Sequence, residues 1–425
     1  MIARRRAAFL KLCGLLRAIE ADLDDLVSVR ALNLGVLKEI LRDEGHVRRQ
    51  RGMLKDLRRQ LKTERPLKVE AGRLRAAITR CERTIRRYED QLYVWRCIGD
   101  GLAYAYIDSL NLKHAFFDSA SPEPKPSAGF ISGKSGLAAE LGLLLSALDH
   151  KVPAVLSDIT NSVRYGDLCL LGASDPHFVE VKSRRALNQR GERQAARLAQ
   201  LEAFLATDFA EGFRGSPHVR RVDLGLTPRD RVEDFNLCLR SARADGYNLV
   251  CPERGLVYVA TVPGARFDDV ENKFPMTAPI VFQPNLELVT HNWAPYRPLT
   301  NSIRDLGDLY EVMVGNLHLV VIVDAAVICD RVAQPGWRVS MLDHRDASML
   351  IEHGASGGKV VISRQLFGRL GYEFMSLDSF VDHAKQSVAE MLAAMEAGDG
   401  VQVEIQPWEE LLDATPRFYS RVAEE

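Results

Sequence analysis

Leu12, Leu16, Ile19, Leu23 and Leu26 recur at alternating steps of four and three, the spacing that lines apolar side chains along one face of an α-helix. Leu54, Leu57 and Leu61 carry the pattern on, and Pro66 breaks it. From Leu67 the seam resumes through Ala71, Leu74, Ile78, Cys81, Ile85, Tyr88, Leu92 and Trp95, with charged residues between. Alternation sustained over that length is a heptad seam. With Thr63-Glu64-Arg65-Pro66 as the turn, residues 1–118 are predicted to form a coiled-coil-like helical hairpin, an arm for self-association or for a partner protein. A plain helical bundle packed on the body fits the same pattern. A further apolar and aromatic helix is predicted around Gly99–Leu112, and the Pro- and Ser-rich run from Asp118 to Gly129 predicts a linker over residues 119–129.

Beyond the linker the period changes. Leu137, Leu141, Leu144, Leu145 and Leu148 form an apolar stripe that predicts a helix over Gly136–His150. Short apolar runs predict strands at Ala154–Ile159, Asp167–Leu171 and Phe178–Val181. A polar helix is expected from about Asn188 to Thr207, then a strand at Arg221–Leu226. The resulting order over residues 130–230 is αβββαβ. Residues 231–425 mix both element types, with a buried strand expected at Leu317–Ile328 and an amphipathic helix at Ser379–Ala397. The fold class is therefore α/β: a helical arm, an αβββαβ core, and an α+β C-terminal region that completes the core or forms a separate recognition domain.

Composition alters this picture in one respect. A chain of 425 residues is long enough for two or three domains, and its net charge is only -1. Residues 1–118, however, hold 25 Lys and Arg against 16 Asp and Glu, so a basic arm precedes an acidic body. Such asymmetry suits nucleic-acid binding as well as it suits a solvated Arg-rich face. The seven cysteines form no CxxC, and the ten histidines offer no pair at helical spacing, which argues against zinc and for a reducing, cytoplasmic setting. Lys11, Arg17 and Glu20 interrupt the apolar start, so neither a secretion signal nor a membrane span is expected.

Chemistry concentrates in Tyr165-Gly166-Asp167 and Phe178-Val179-Glu180-Val181-Lys182. Strand side chains alternate faces, so Glu180 and Lys182 point together while Val179 and Val181 face the other way. Gly172-Ala173-Ser174-Asp175-Pro176 has the residues of a turn, and a hairpin closed there lets Asp167 meet Glu180 across it. Two such carboxylates make a hard oxygen site suited to Mg²⁺ or Mn²⁺, and a lysine beside them can orient or activate water.

The arrangement D-x(12)-E-x-K, preceded by a helix carrying Glu140, resembles the PD-(D/E)XK nuclease superfamily. The resemblance covers roughly residues 130–226. It implies a nuclease core with a mixed sheet and metal-dependent hydrolysis of phosphodiester bonds in DNA. It also implies metal binding by Glu140, Asp167 and Glu180, with the Val181 carbonyl joining them. Lys182 corresponds to the lysine of the E-x-K element, and Gln194 to a glutamine of some branches. The family's proline before Asp is absent, since Gly166 stands there. The family's habits suggest a role in defence against foreign DNA. Arg164, Arg184, Arg185, Arg190 and Arg193 surround the core and could hold phosphates, although each alone is more simply a surface charge.

Ala128-Gly-Phe-Ile-Ser-Gly133-Lys134-Ser135 offers a different reading, a phosphate loop, and Leu319–Asp324 resembles its partner strand. A phosphate loop needs a buried strand before it, which the Pro-rich linker does not supply. An NTPase is thus the alternative, and Lys134 and Ser135 are expected at the start of the Glu140 helix. A coiled-coil scaffold with an inactive nuclease fold is a third possibility. His344-Arg345-Asp346 matches a kinase triplet without the other kinase motifs and carries no weight.

Overall fold

The computed structural model describes residues 3–63, 66–181, 189–265, 273–354, 357–396 and 417–422. The chain divides into two compact units. One comprises Met1–Phe117, Pro124–Leu198 and Leu288–Asn301, the other Asp118–Glu123, Ala199–Glu287 and Ser302–Glu425. The chain is mixed α/β with a helical N-terminal region, and every sheet among the described residues is antiparallel.

In the first unit, α1 (Arg6–Ala21), α2 (Leu26–Thr63) and α3 (Lys68–Tyr106) pack through Phe9, Leu12, Leu16, Val29, Val36, Ile40, Trp95, Ile98 and Leu102, all of them buried. The Trp95 ring NH donates to Asp43 Oδ2 at 2.8 Å, so even the polar atom of this core is satisfied. The four-three pattern does not run through Leu23 and Leu26 as one helix. Asp22–Asp25 make a turn, and Asp25 accepts the Ser28 NH at 3.0 Å to start α2. Leu67, counted in the seam, is 82% exposed, because α3 begins only after it. The helix expected at Gly99–Leu112 is the continuation of α3, followed by α4 (Ser109–Leu112), whose cap Asp108 accepts the Leu110 NH. Residues 119–129 contain no helix and only an isolated bridge between Phe117 and Pro124.

Next come α5 (Leu137–Asp149), β1 (Ala154–Leu156), β2 (Leu168–Leu170), β3 (His177–Val179) and α6 (Gln189–Thr207). The sheet order is β1-β2-β3, with Ala154 opposite Leu170 and Leu168 opposite Val179. Asn33 of α2 extends the β1 edge: it donates to the Ala154 carbonyl at 3.1 Å and accepts the Leu156 NH at 3.2 Å. Among the described residues this sheet is antiparallel throughout, where the family resemblance implies a mixed one. Arg221–Leu226 is not a strand. Gly225 adopts φ +62° there, and Val222 and Leu226 lie exposed, so this stretch has no buried face to pair on. Instead β4 (Phe209–Phe213) pairs with β5 (Ser216–Arg220) as a separate hairpin.

The second unit, to which the β4–β5 hairpin belongs, also holds α7 (Val232–Asp245) and a sheet of order β6-β7-β9-β8, built from Tyr247–Glu253, Leu256–Thr261, His318–Asp324 and Pro279–Phe282 respectively. A further sheet holds β10 (Trp337–Leu342), β11 (Ala347–His353), β12 (Lys359–Ser363) and β13 (Arg417–Val422) in the order β12-β11-β10-β13. The strand expected at Leu317–Ile328 stops at Asp324, whose carboxylate accepts the Ala326, Thr277 and Ala278 NH groups and so starts a helix, Ala325–Val332. Asp324 is thus an anchor of the chain. The predicted Ser379–Ala397 helix spans Leu377–Glu396; Ala397 lies outside the described residues. No helix among the described residues is long and apolar enough to cross a membrane.

Candidate active site

Asp167 stands immediately before β2. Gly166 places it there with φ +62°, a value that proline, fixed near -65°, cannot take. That accounts for glycine where the family resemblance puts proline. The Asp167 NH donates to the Val179 carbonyl at 2.9 Å, the residue already opposite Leu168, so the regular β2–β3 ladder ends at that pair. The hairpin expected between the two strands is present, but no ladder pair or described bond joins Asp167 to Glu180. Asp167 Oδ2 also accepts the Val181 NH at 2.9 Å, which fixes the carboxylate across the strand pair. Glu180 is half-buried.

Glu140 lies in the first turn of α5, its side chain only 3% exposed. Its partner in this arrangement is an ammonium. Glu140 Oε1, Asp158 Oδ2 and Asp167 Oδ1 lie 3.0, 2.9 and 3.0 Å from Lys134 Nζ. Three carboxylates from three separate elements thus converge on one cation. Burial pushes the Glu140 carboxyl above its ordinary range, against the pull of Lys134, and the neighbouring Asp167 and Asp158 add to the rise. Burial also draws the Lys134 ammonium downward, but its bonds to Asp158, Asp167 and Glu140 outweigh this and hold it above an ordinary lysine.

Asp158 had no place among the expected site residues, because the apolar run Ala154–Ile159 reads as one strand. The strand ends at Leu156, and Ser157–Ile159 form a 3-10 turn that aims Asp158 back at the cluster. Lys134 carried a signal, the G-K-S triplet, but pointed to nucleotide binding. Residues 125–136 contain no strand, and Lys134 is held by carboxylates, so a phosphate loop is not formed there.

The helical arm builds this site. Glu44 of α2 is buried and accepts the Ile131 and Ser132 NH groups at 2.8 and 2.7 Å, gripping the loop that carries Lys134. Arg48 Nη2 donates to the Ser132 carbonyl at 2.7 Å. From α3, Arg96 donates to the Asp158 and Gly129 carbonyls, each at 3.1 Å. One turn later Asp100 accepts the Asn161 and Ser162 NH groups at 2.8 and 2.7 Å. Burial holds the Asp100 carboxyl up at about 6, and these bonds oppose the rise. A Cβ on Gly99 would lie 2.1 Å from the Ile159 carbonyl oxygen, so only glycine lets α3 approach the turn that holds Asp158.

The remaining expected residues fare differently. Lys182, Arg184 and Arg185 lie outside the described residues, as does the side chain of Arg190. Gln194 is exposed near the start of α6, and no described bond ties it to the carboxylates. Arg193 is likewise exposed. Arg164 is structural: it donates to the Asn161 and Lys125 carbonyls and covers the Phe116 ring at 4.0 Å, and burial pulls it down to about 10. A cleft of about 730 Å³ lined by Leu23, Tyr106, Lys151, Leu170 and His177 includes none of the clustered carboxylates.

Among the described residues no group of three or more His, Cys, Asp or Glu is arranged to hold a metal ion as it stands. The three carboxylates are spread around an ammonium, and metal–oxygen bonds of about 2.1 Å would draw them closer. Their chemistry nonetheless fits a hard divalent ion: all donors are oxygen, and all already share one cation as their focus. No family model, no curated protein and no solved structure matches the chain.

Proposed function

We propose that this protein is a Mg²⁺- or Mn²⁺-dependent nuclease that hydrolyses phosphodiester bonds in DNA. The observation that carries the reading is the convergence of Glu140, Asp158 and Asp167 on a single cation position, with Glu180 directly after β3, the strand paired with β2. The family resemblance of the same residues supports it. Asp167, Glu140 and Glu180 are the metal ligands, Asp158 joins them, and the Val181 carbonyl is a further oxygen donor. When bound, the ion supplies Lewis-acid activation of water and of the scissile phosphate.

The chain's own residues do the rest. Asp167 accepts the Val181 NH, which orients the carboxylate that would bind the ion. Lys182, at the lysine of the E-x-K element, orients the attacking water or takes its proton. Gln194 is assigned to phosphate positioning on the resemblance alone. The basic arm holds the DNA backbone through exposed arginines and lysines.

Plasmid and linear DNA incubated with the protein and Mg²⁺ or Mn²⁺ should be cleaved, and EDTA should stop it. Asp167→Ala and Lys182→Ala should each lower the rate on the order of a hundredfold or more. Cleavage that persists unchanged in both variants would refute the site.

A further inference from the structure

The carboxylates of the proposed metal site are not left to repel one another. Lys134 Nζ stands within 3.0 Å of one oxygen on each of Glu140, Asp158 and Asp167. We propose that Lys134 is a tethered counter-cation at the point where the three carboxylates converge, and that it has to swing out before a divalent ion is held there. The inference rests on the nuclease reading above and adds to it a control on metal loading.

Geometry requires the exchange. An ion bonded to all three carboxylates takes the point on which they converge, and the ammonium is already at that point. The ammonium and the ion cannot both occupy that point, so the lysine leaves as the ion arrives. Charge favours the exchange as well. Three carboxylates against one ammonium leave an excess of negative charge, and a divalent ion answers it better than a monovalent one.

The surrounding structure separates a fixed part from a movable one. Upstream of Lys134 the loop is clamped: Glu44 holds the Ile131 and Ser132 NH groups, Arg48 holds the Ser132 carbonyl and hydroxyl, and Arg96 holds the Gly129 carbonyl. Gly133 at φ +92° and Gly136 flank the lysine before α5 begins. The Gly136 carbonyl caps α5 by accepting the Ala139 and Glu140 NH groups, so the four-carbon stem of Lys134 is the part able to move without unfastening the clamp. Both helices that supply the clamp continue into the basic arm, so the loop's hold and the DNA-facing surface share the same two helices.

Mn²⁺ binding to the full chain, followed by electron paramagnetic resonance of the free ion, reads this without using activity. Lys134→Met removes the charge and keeps the length, and it should bind Mn²⁺ more tightly by about tenfold or more. On the wild-type protein, amine-reactive labelling followed by mass spectrometry gives a second readout that needs no variant. Lys134 should be slow to label in EDTA and severalfold faster once Mn²⁺ is added. Equal or weaker Mn²⁺ binding by Lys134→Met, or labelling that does not rise with Mn²⁺, overturns the proposal. If both proteins bind Mn²⁺ with equal affinity, the Lys134 proposal alone fails. If neither binds it, the nuclease reading fails as well.

Discussion

Gly166 shows how one residue sets the position of another. Its φ of +62° turns the chain so that Asp167 enters β2 with its carboxylate free to meet Lys134 and the Val181 NH. Any Cβ at this position would also lie 2.9 Å from the Val179 carbonyl oxygen. Gly166→Ala should therefore cost about 2 kcal/mol from the left-handed backbone alone, measured by chemical denaturation of the full chain. Cleavage should fall with it, because Asp167 moves. A variant as stable as the wild type would mean that the turn relaxes without strain. The β2–β3 hairpin that carries Asp167 and Glu180 was legible in the sequence, since strand alternation and a five-residue turn are enough to close it. Asp158 and Lys134 were not. Their meeting depends on a strand ending early and on a loop folding back, and neither leaves a periodic trace.

At the scale of elements, the helical hairpin is the support of the site. The heptad seam predicts the two long helices correctly, but a seam records only apolar positions. It cannot show that Asn33, Glu44, Arg96 and Asp100, scattered among surface charges in the sequence, turn inward to hold β1, the Lys134 loop and the Asp158 turn. Asp100 gives this support a pH dependence. Its folded pKa of about 6 lies above the unfolded value of about 3.9. Between those values the folded chain keeps a proton that the unfolded chain has lost, so this group lowers stability as pH rises through that window and adds stability as pH falls from 7 to 5. The melting temperature of the wild type, compared with that of Asp100→Asn, should thus improve as the pH is lowered over that range. A constant difference between the two would show that the carboxyl titrates normally. The misplaced elements fail for local reasons. Arg221–Leu226 alternates like a strand but has no sheet to join, and the Leu317–Ile328 run is apolar almost throughout, so its change from strand to helix at Asp324 is set by a capping carboxylate that hydrophobicity does not register.

For the whole molecule, the net charge of -1 conceals a strong local field. Residues 48–87, the distal part of the hairpin, hold fifteen Lys and Arg against four Asp and Glu. Every described Lys and Arg in this stretch is exposed. Arg51, Arg58 and Arg59 pair with Glu89, Glu82 and Asp56, whereas Arg73, Arg75, Arg80 and Arg83 have no acidic partner among the described residues. An excess of this size destabilises the hairpin unless a polyanion answers it, and a phosphate backbone does so while releasing its own counterions. If the arm grips DNA, affinity should fall steeply with salt. Replacing Arg73, Arg75, Arg80 and Arg83 by alanine should flatten the plot of log affinity against log salt by roughly 0.9 for each phosphate no longer neutralised. Cleavage at saturating DNA should change little, since none of the four approaches the carboxylates. Fluorescence anisotropy across a salt series separates the outcomes. An unchanged slope would assign the charge to a solvated face, and a flattened slope together with a loss of cleavage at saturation would mean that the hairpin also positions the scissile phosphate.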